Sequence, residues 1–177
     1  MNKPGKLFLI PNVIAEHTQG KVIPHQVVEV LTRIQHFLAE DARTARRYLS
    51  SLKLYPSIEA LVIHVLNKDT PEQDLFELMR PVLEGMDMGV ISESGCPGVA
   101  DPGAMAVLFA HQHAIQVIPL VGPSSILLAL MASGLNGQQF AFHGYLPIEP
   151  KDASKKIQDL EKESRLKNQT QIFIETP

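Results

Sequence analysis

Apolar residues recur in short runs along almost the whole chain, and between the runs they return at helical spacing. Leu7-Phe8-Leu9-Ile10 reads as a β-strand closed by Pro11, and residues 36–39, 61–66, 88–91 and 116–120 read as four more. After the first strand, Pro24 suits the opening turn of a helix, and Val27, Val28, Leu31 and Ile34 then line one helical face. Asp41 can cap a helix whose inner face is Ala45, Tyr48, Leu49 and Leu52. Thr70-Pro71-Glu72-Gln73 has the order of a capped helix start. Leu75, Leu78, Met79 and Val82 form its apolar stripe, and Pro81 is set to distort its last turn. Two further helices follow, over 104–114 and, very apolar, over 124–133 up to Gly134. Continuous rather than alternating apolarity predicts strands buried on both faces. Strand–helix alternation of this kind predicts an α/β fold: a mostly parallel five-stranded sheet, flanked by helices, over residues 7–120.

The pattern changes near Gln138. Residues 140–146 read as a strand, Pro147 and Pro150 interrupt it, and 151–167 reads as a charged helix with Ile157 and Leu160 turned inward. A last strand covers 171–175. This divides the chain into an amino-terminal α/β domain over 1–121 and, over 122–177, a linker helix with part of a second α/β domain. One strand–helix–strand unit is too small to stand alone, so the second domain is expected to be incomplete in this chain.

Composition narrows the class. Of 177 residues 45% are hydrophobic, which is too apolar for a disordered chain. The longest apolar run, residues 126–132, falls far short of the roughly 18 residues of a membrane span. The start of the chain lacks the apolar region and cleavage site of a secretory signal. A lone cysteine, Cys96, excludes an intrachain disulfide framework and a multi-cysteine zinc site. The expectation is a soluble, cytoplasmic protein. Its net charge of −3 argues against a chain that grips nucleic acid over its whole surface. A nucleic acid would be met by a local patch: Arg43, Arg46 and Arg47, or the lysine-rich stretch 151–167. Solvated helix faces explain either patch equally well.

In open parallel sheets, ligands bind outside the carboxyl ends of the strands. Two loops occupy such places. The first, Ser92-Glu93-Ser94-Gly95-Cys96-Pro97-Gly98-Val99-Ala100-Asp101-Pro102-Gly103, is long for a connection in a compact α/β unit. Its glycines let backbone approach a ligand, although a stiff connection with Asp101 as helix cap would use the same residues. The second, Gly122-Pro123-Ser124-Ser125, opens an apolar helix whose first N–H groups and serine hydroxyls would suit a carboxylate or phosphate, although a serine-capped helix start with proline in its first turn would use the same residues. Neither is a dinucleotide-binding turn or a P-loop. His111 and His113 are two apart on a helix and share no face. Ser94 lacks the glycine a nucleophile elbow needs two residues earlier.

Together these segments resemble the tetrapyrrole methylase superfamily of S-adenosylmethionine-dependent methyltransferases, within it most the small-subunit ribosomal RNA 2′-O-ribose methyltransferase I family. The 92–103 loop is similar to the family's Ser-Asp-Ala-Gly-Thr-Pro-x-x-x-Asp-Pro-Gly, with Glu93 for the aspartate and Cys96 for the threonine. Pro119-Leu120-Val121-Gly122-Pro123-Ser124 is similar to Pro-x-Pro-Gly-Pro-Ser, and Ala132-Ser133-Gly134-Leu135 and Phe142-His143-Gly144-Tyr145-Leu146-Pro147 follow in order. Ala39-Glu40-Asp41-Ala42-Arg43 is similar to Ala-Glu-Asp-Thr-Arg, and Phe173-Ile174-Glu175-Thr176-Pro177 to Phe-Tyr-Glu-Ser-Pro. Pro11-Asn12-Val13-Ile14 departs from the usual Pro-Ile-Gly-Asn.

The resemblance implies a two-domain homodimer that uses S-adenosyl-L-methionine and no metal. Glu93, Gly95, Cys96 and Pro97 would contact the cofactor from the first loop, and Ser124, Ser125 and Ile126 from the second. Gly144, Tyr145 and Glu175 would complete its site. Glu40, Asp41 and Arg43 would stand near the acceptor, with Arg43 touching ribosomal RNA. Two alternatives share the fold: a small porphyrinoid-like acceptor, or a cofactor-binding or interaction protein that has lost catalysis.

Overall fold

A computed structural model describes residues 3–175. The elements run β1 (Lys6–Ile10), α1 (Gln19–Val22), α2 (His25–Leu31), β2 (His36–Ala39), α3 (Ala42–Ser51) and β3 (Val62–Val65). A 3-10 turn at Glu72–Asp74 leads into α4 (Leu75–Leu78) and α5 (Arg80–Leu83), then β4 (Met88–Ile91), α6 (Gly103–Gln112) and β5 (Gln116–Pro119). The remainder comprises α7 (Ser125–Ser133), β6 (Phe140–Tyr145), α8 (Pro150–Lys167) and β7 (Thr170–Ile174). The chain forms two compact units, Met1–Ser124 and Ser125–Pro177.

The first unit is the expected α/β sheet. Its five strands pair in the order β3-β2-β4-β1-β5, every pair parallel. The chain moves one way along the sheet from β1 to β3 and the other way from β3 to β5. Parallel crossovers are right-handed, so the helices after β1 and β2 must cover one face and those after β3 and β4 the other. The core divides accordingly. Phe8, Ile10, Phe37 and Ile91 pack with Val27 and Leu31 of α2 and with Tyr48 and Leu49 of α3. On the opposite face Leu7, Leu38, Met88 and Val90 pack with Leu75, Met79, Val82, Ala106 and Phe109. All four residues of β4 are buried, whereas β3 and β5 expose residues at both ends. The expectation of strands buried on both faces therefore holds for the centre of the sheet and not for its edges, where half the cover is missing.

Local chemistry explains most boundaries. Asp41 Oδ1 accepts from the Thr44 N–H at 2.6 Å, the expected cap of α3. The 70–83 segment differs from its expected single helix. Thr70 Oγ1 accepts from the Asn67 N–H and closes a turn instead of capping. The helix then breaks at Met79, and Pro81 sits in the first turn of α5. A proline has no N–H to lose there, so it opens a new helix rather than distorting the end of an old one.

In the second unit β6 and β7 form a two-stranded parallel sheet, irregular between Phe142 and Tyr145. Leu160 of α8 is buried, but Ile157, expected inward, is 44% exposed, because two strands offer too narrow a face for both. Thr170 is buried and donates to the Asn136 carbonyl at 2.9 Å. Among the described residues no helix is long and apolar enough to cross a membrane.

Candidate functional site

β1 and β4 are neighbours whose chains leave toward opposite faces, which opens a crevice at their carboxyl ends. Three loops meet there. Asn12, directly after β1, is buried and stitches two of them together. Its backbone N–H donates to the Gly95 carbonyl at 2.8 Å. Its side-chain amide donates to the carbonyls of Ser92 and Glu93, each at 3.0 Å, while Oδ1 accepts from the Val13 N–H. Tyr48 of α3 donates to the Pro11 carbonyl at 2.8 Å, and Ser92 Oγ to that of Gly95 at 2.9 Å. Asn12 was visible in the sequence only as a departure from a family pattern. A polar residue between a strand-ending proline and valine was the signal that could have found it.

The third loop, after β5, closes on the other two. A Cβ on Gly122 would lie 2.0 Å from Pro11 Cβ, so only glycine permits this approach. Gly95 has φ +69°, and a Cβ there would come within 3.2 Å of the Pro123 carbonyl. Cys96 Sγ donates to the same carbonyl at 3.4 Å. Burial pushes its thiol up from the ordinary value, which suits a packed donor and not a nucleophile. The loops singled out from sequence thus share one end of the sheet. Asp101 Oδ1 accepts from the N–H groups of Gly98 and Gly103, which holds the far end of the 92–103 loop.

Pro97 is buried beside Gly95, and Glu93 is exposed. Ser124 ends the first unit, while Ser125 and Ile126 open α7 in the second. Gly144, at φ +67°, falls at the irregularity of β6, with Tyr145 exposed beside it. Glu175 Oε1 accepts from the Leu146 N–H at 3.0 Å. Thr176 and Pro177, the end of the matched motif, lie outside the described residues.

Glu40 follows β2 and faces two other carboxylates. Partial burial first, then Glu93 and Asp101, raise its pKa above the ordinary value, against the pull of Lys68. Asp41 is held low by the Thr44 N–H, so its charge is committed to the helix cap. Arg43 is exposed on α3. Beside these groups an open cleft of about 320 Å³ lies between the 12–19 segment and α3. Thr44, Arg47, Tyr48 and Ser51 form one wall, and Glu93 and Ser94 reach it from the β4 loop.

No protein-family model matches the chain. It is 30% identical over 171 residues to the ribosomal RNA small subunit methyltransferase I of Vibrio cholerae, covering 97% of this chain and 55% of that protein. Against the protein of the same name from Xylella fastidiosa it is 30% identical over 175 residues, covering 99% and 60%. That of Escherichia coli O157:H7 is 29% identical over 175 residues, covering 99% and 57%. The chain therefore spans a little over half the length of these relatives. Among solved structures it resembles a cobalamin-biosynthesis precorrin-6Y methylase from Archaeoglobus fulgidus, with a TM-score of 0.52 over 81% of this chain and 64% of the other. At 15% identity that likeness shows a shared fold. The chain is thus similar along nearly its whole length to ribosomal RNA small subunit methyltransferases I, and it shares its fold with a precorrin methylase.

Proposed function

We propose that the chain is an S-adenosylmethionine-dependent methyltransferase of the tetrapyrrole methylase type that methylates a ribose 2′-hydroxyl of small-subunit ribosomal RNA. The observation that carries the reading is similarity over 97% of the chain to proteins named for methylation of that RNA. The precorrin methylase likeness carries the fold and no argument about the acceptor.

The loop cluster fits such a donor. Gly95 lets the 92–103 loop close on Pro123, the approach that gives the cluster its shape. Glu93, Gly95, Cys96 and Pro97 are the proposed contacts from this loop, followed by Ser124, Ser125 and Ile126. Gly144, Tyr145 and Glu175 are proposed to contribute from the second unit. When bound, S-adenosylmethionine supplies a methyl group activated by its sulfonium. The chain's task is to hold the ribose oxygen in line and to receive the proton it loses. Glu40 is the proposed receiver, since a carboxyl raised above its ordinary range is the better base. Asp41 fixes the start of α3, from which Arg43 is proposed to touch RNA. The same reading carries a cytoplasmic homodimer, which light scattering would test.

Two measurements test the proposal. Calorimetry should show S-adenosylmethionine binding, and methyl transfer to small-subunit RNA should leave an alkali-resistant linkage at the modified ribose. Glu40→Gln should lower transfer by roughly 10²–10⁴-fold without changing cofactor affinity. A chain and a longer form that both fail to bind the cofactor would overturn the reading.

A further inference from the structure

We infer that the cleft between the 12–19 segment and α3 is the acceptor subsite, taking one nucleotide of a single RNA strand with its phosphate on Arg47. The inference rests on the reading above and adds a place and a contact to it. At about 320 Å³ the cleft is at the small end of ligand pockets, right for a nucleotide and too small for paired bases. Its lining is mixed as a nucleotide's surface is mixed. Val13 and the Tyr48 ring give apolar area, and Thr44 and Ser51 give hydroxyls.

One arginine, Arg47, stands among the two lining carboxylates Glu16 and Glu93. Arg47 stands on the α3 wall, and its ion partner Glu16 stands on the opposite wall at 3.8 Å. Both side chains are about three-quarters exposed, 72% and 74%. A pair so solvated is worth at most about 1 kcal/mol, so a phosphate entering the cleft can take Glu16's place. Arg43 and Arg46 on the same helix make no ion pair within 4.0 Å among the described residues. The other basic stretch is matched only in part. Lys162, Arg165 and Lys167 of α8 are matched with Asp159, Glu161 and Glu163. Lys151, Lys155 and Lys156 of α8 make no such pair among the described residues, so what sets α3 apart is that its Arg47 lines a cleft. Glu93 lines the cleft and also belongs to the loop proposed for the methyl donor, which sets donor and acceptor side by side.

The test measures binding of a fluorescein-labelled single-stranded oligoribonucleotide to the 177-residue chain as salt is varied. Arg47→Glu should weaken binding about tenfold more than Arg46→Glu, the matched charge reversal outside the cleft, and should reduce the salt slope by about 1. Ser51→Trp, which fills the cleft without changing charge, should also weaken binding. Circular dichroism should be unchanged in all three. Equal losses for the two arginines with Ser51→Trp silent, or no RNA binding by the parent, would overturn the inference. Calorimetry with S-adenosylmethionine on the same variants separates the two readings. Cofactor binding without Arg47 dependence of RNA binding sinks the cleft alone. Arg47-dependent RNA binding without cofactor affinity leaves the nucleotide site standing and sinks the methyltransferase.

Discussion

The two units use the same strand–helix vocabulary and reach very different degrees of burial. In the first, five parallel strands lie between two layers of helices, and β4 is sealed along its whole length. In the second, two parallel strands share one long helix, and Leu160 and Thr170 are its only buried residues among those described. Met131 is 78% exposed and Leu166 86%. A parallel pair needs a crossover, and the crossover covers one face only. Burial of a large apolar side chain is worth roughly 1.5–3 kcal/mol, so most of the folding energy resides in the first unit.

The contrast can be broken at several levels. The largest expected effect is in the first core: Phe37→Ala should cost about 3–5 kcal/mol in urea unfolding. Leu166→Ala should change stability by less than about 0.5 kcal/mol. Comparable losses would erase the distinction between the units. Next in size is the loop cluster. Asn12→Ala removes the bonds to Ser92 and Glu93 and should cost roughly 1–3 kcal/mol, with a measurable loss of cofactor affinity if the cluster holds the donor. Thr170→Val in the second unit should cost about 1 kcal/mol, read from hydrogen exchange in β6 and β7.

The smallest effects are electrostatic. His36 has its pKa lowered from 6.5 by burial and by His64, and its buried Nδ1 has no hydrogen-bond partner. The fold therefore favours the neutral ring. Its contribution is present above about pH 6.5 and is lost as pH falls through the lower folded value. His36→Gln should flatten that acid limb in thermal melts across pH. Glu40 has the opposite sign: its raised pKa means that ionisation works against the fold as pH rises past the carboxylate range. Glu40→Gln should raise the melting temperature slightly at neutral pH and have no effect in acid.

Much of the first unit was legible because its signals were local. Asp41, Pro24 and the apolar runs each name their element without help from distant residues. Strand order was not legible; once it is known, right-handed crossovers divide the core into two faces. What could not be read depends on approach between distant segments. Gly122 is ordinary in sequence until Pro11 is set against its Cα, and Asn12 looks like a loop residue until two carbonyls of the 92–103 loop converge on it. The break at Met79 was missed for another reason: the apolar stripe continues smoothly through it, although the backbone does not.

The place of β1 between β4 and β5 also has a temporal consequence. Leu7 pairs with Met88 on one side and with Val117 on the other. On the ribosome, β1 therefore emerges first and finds its partners last, with β2 and β3 the only pair that can form early. At roughly 5–20 residues per second, the Leu-Phe-Leu-Ile strand waits for seconds as an unpaired apolar edge while β4 is still being made. The interval before residue 91 is thus when the nascent chain is most exposed to aggregation and most in need of a chaperone.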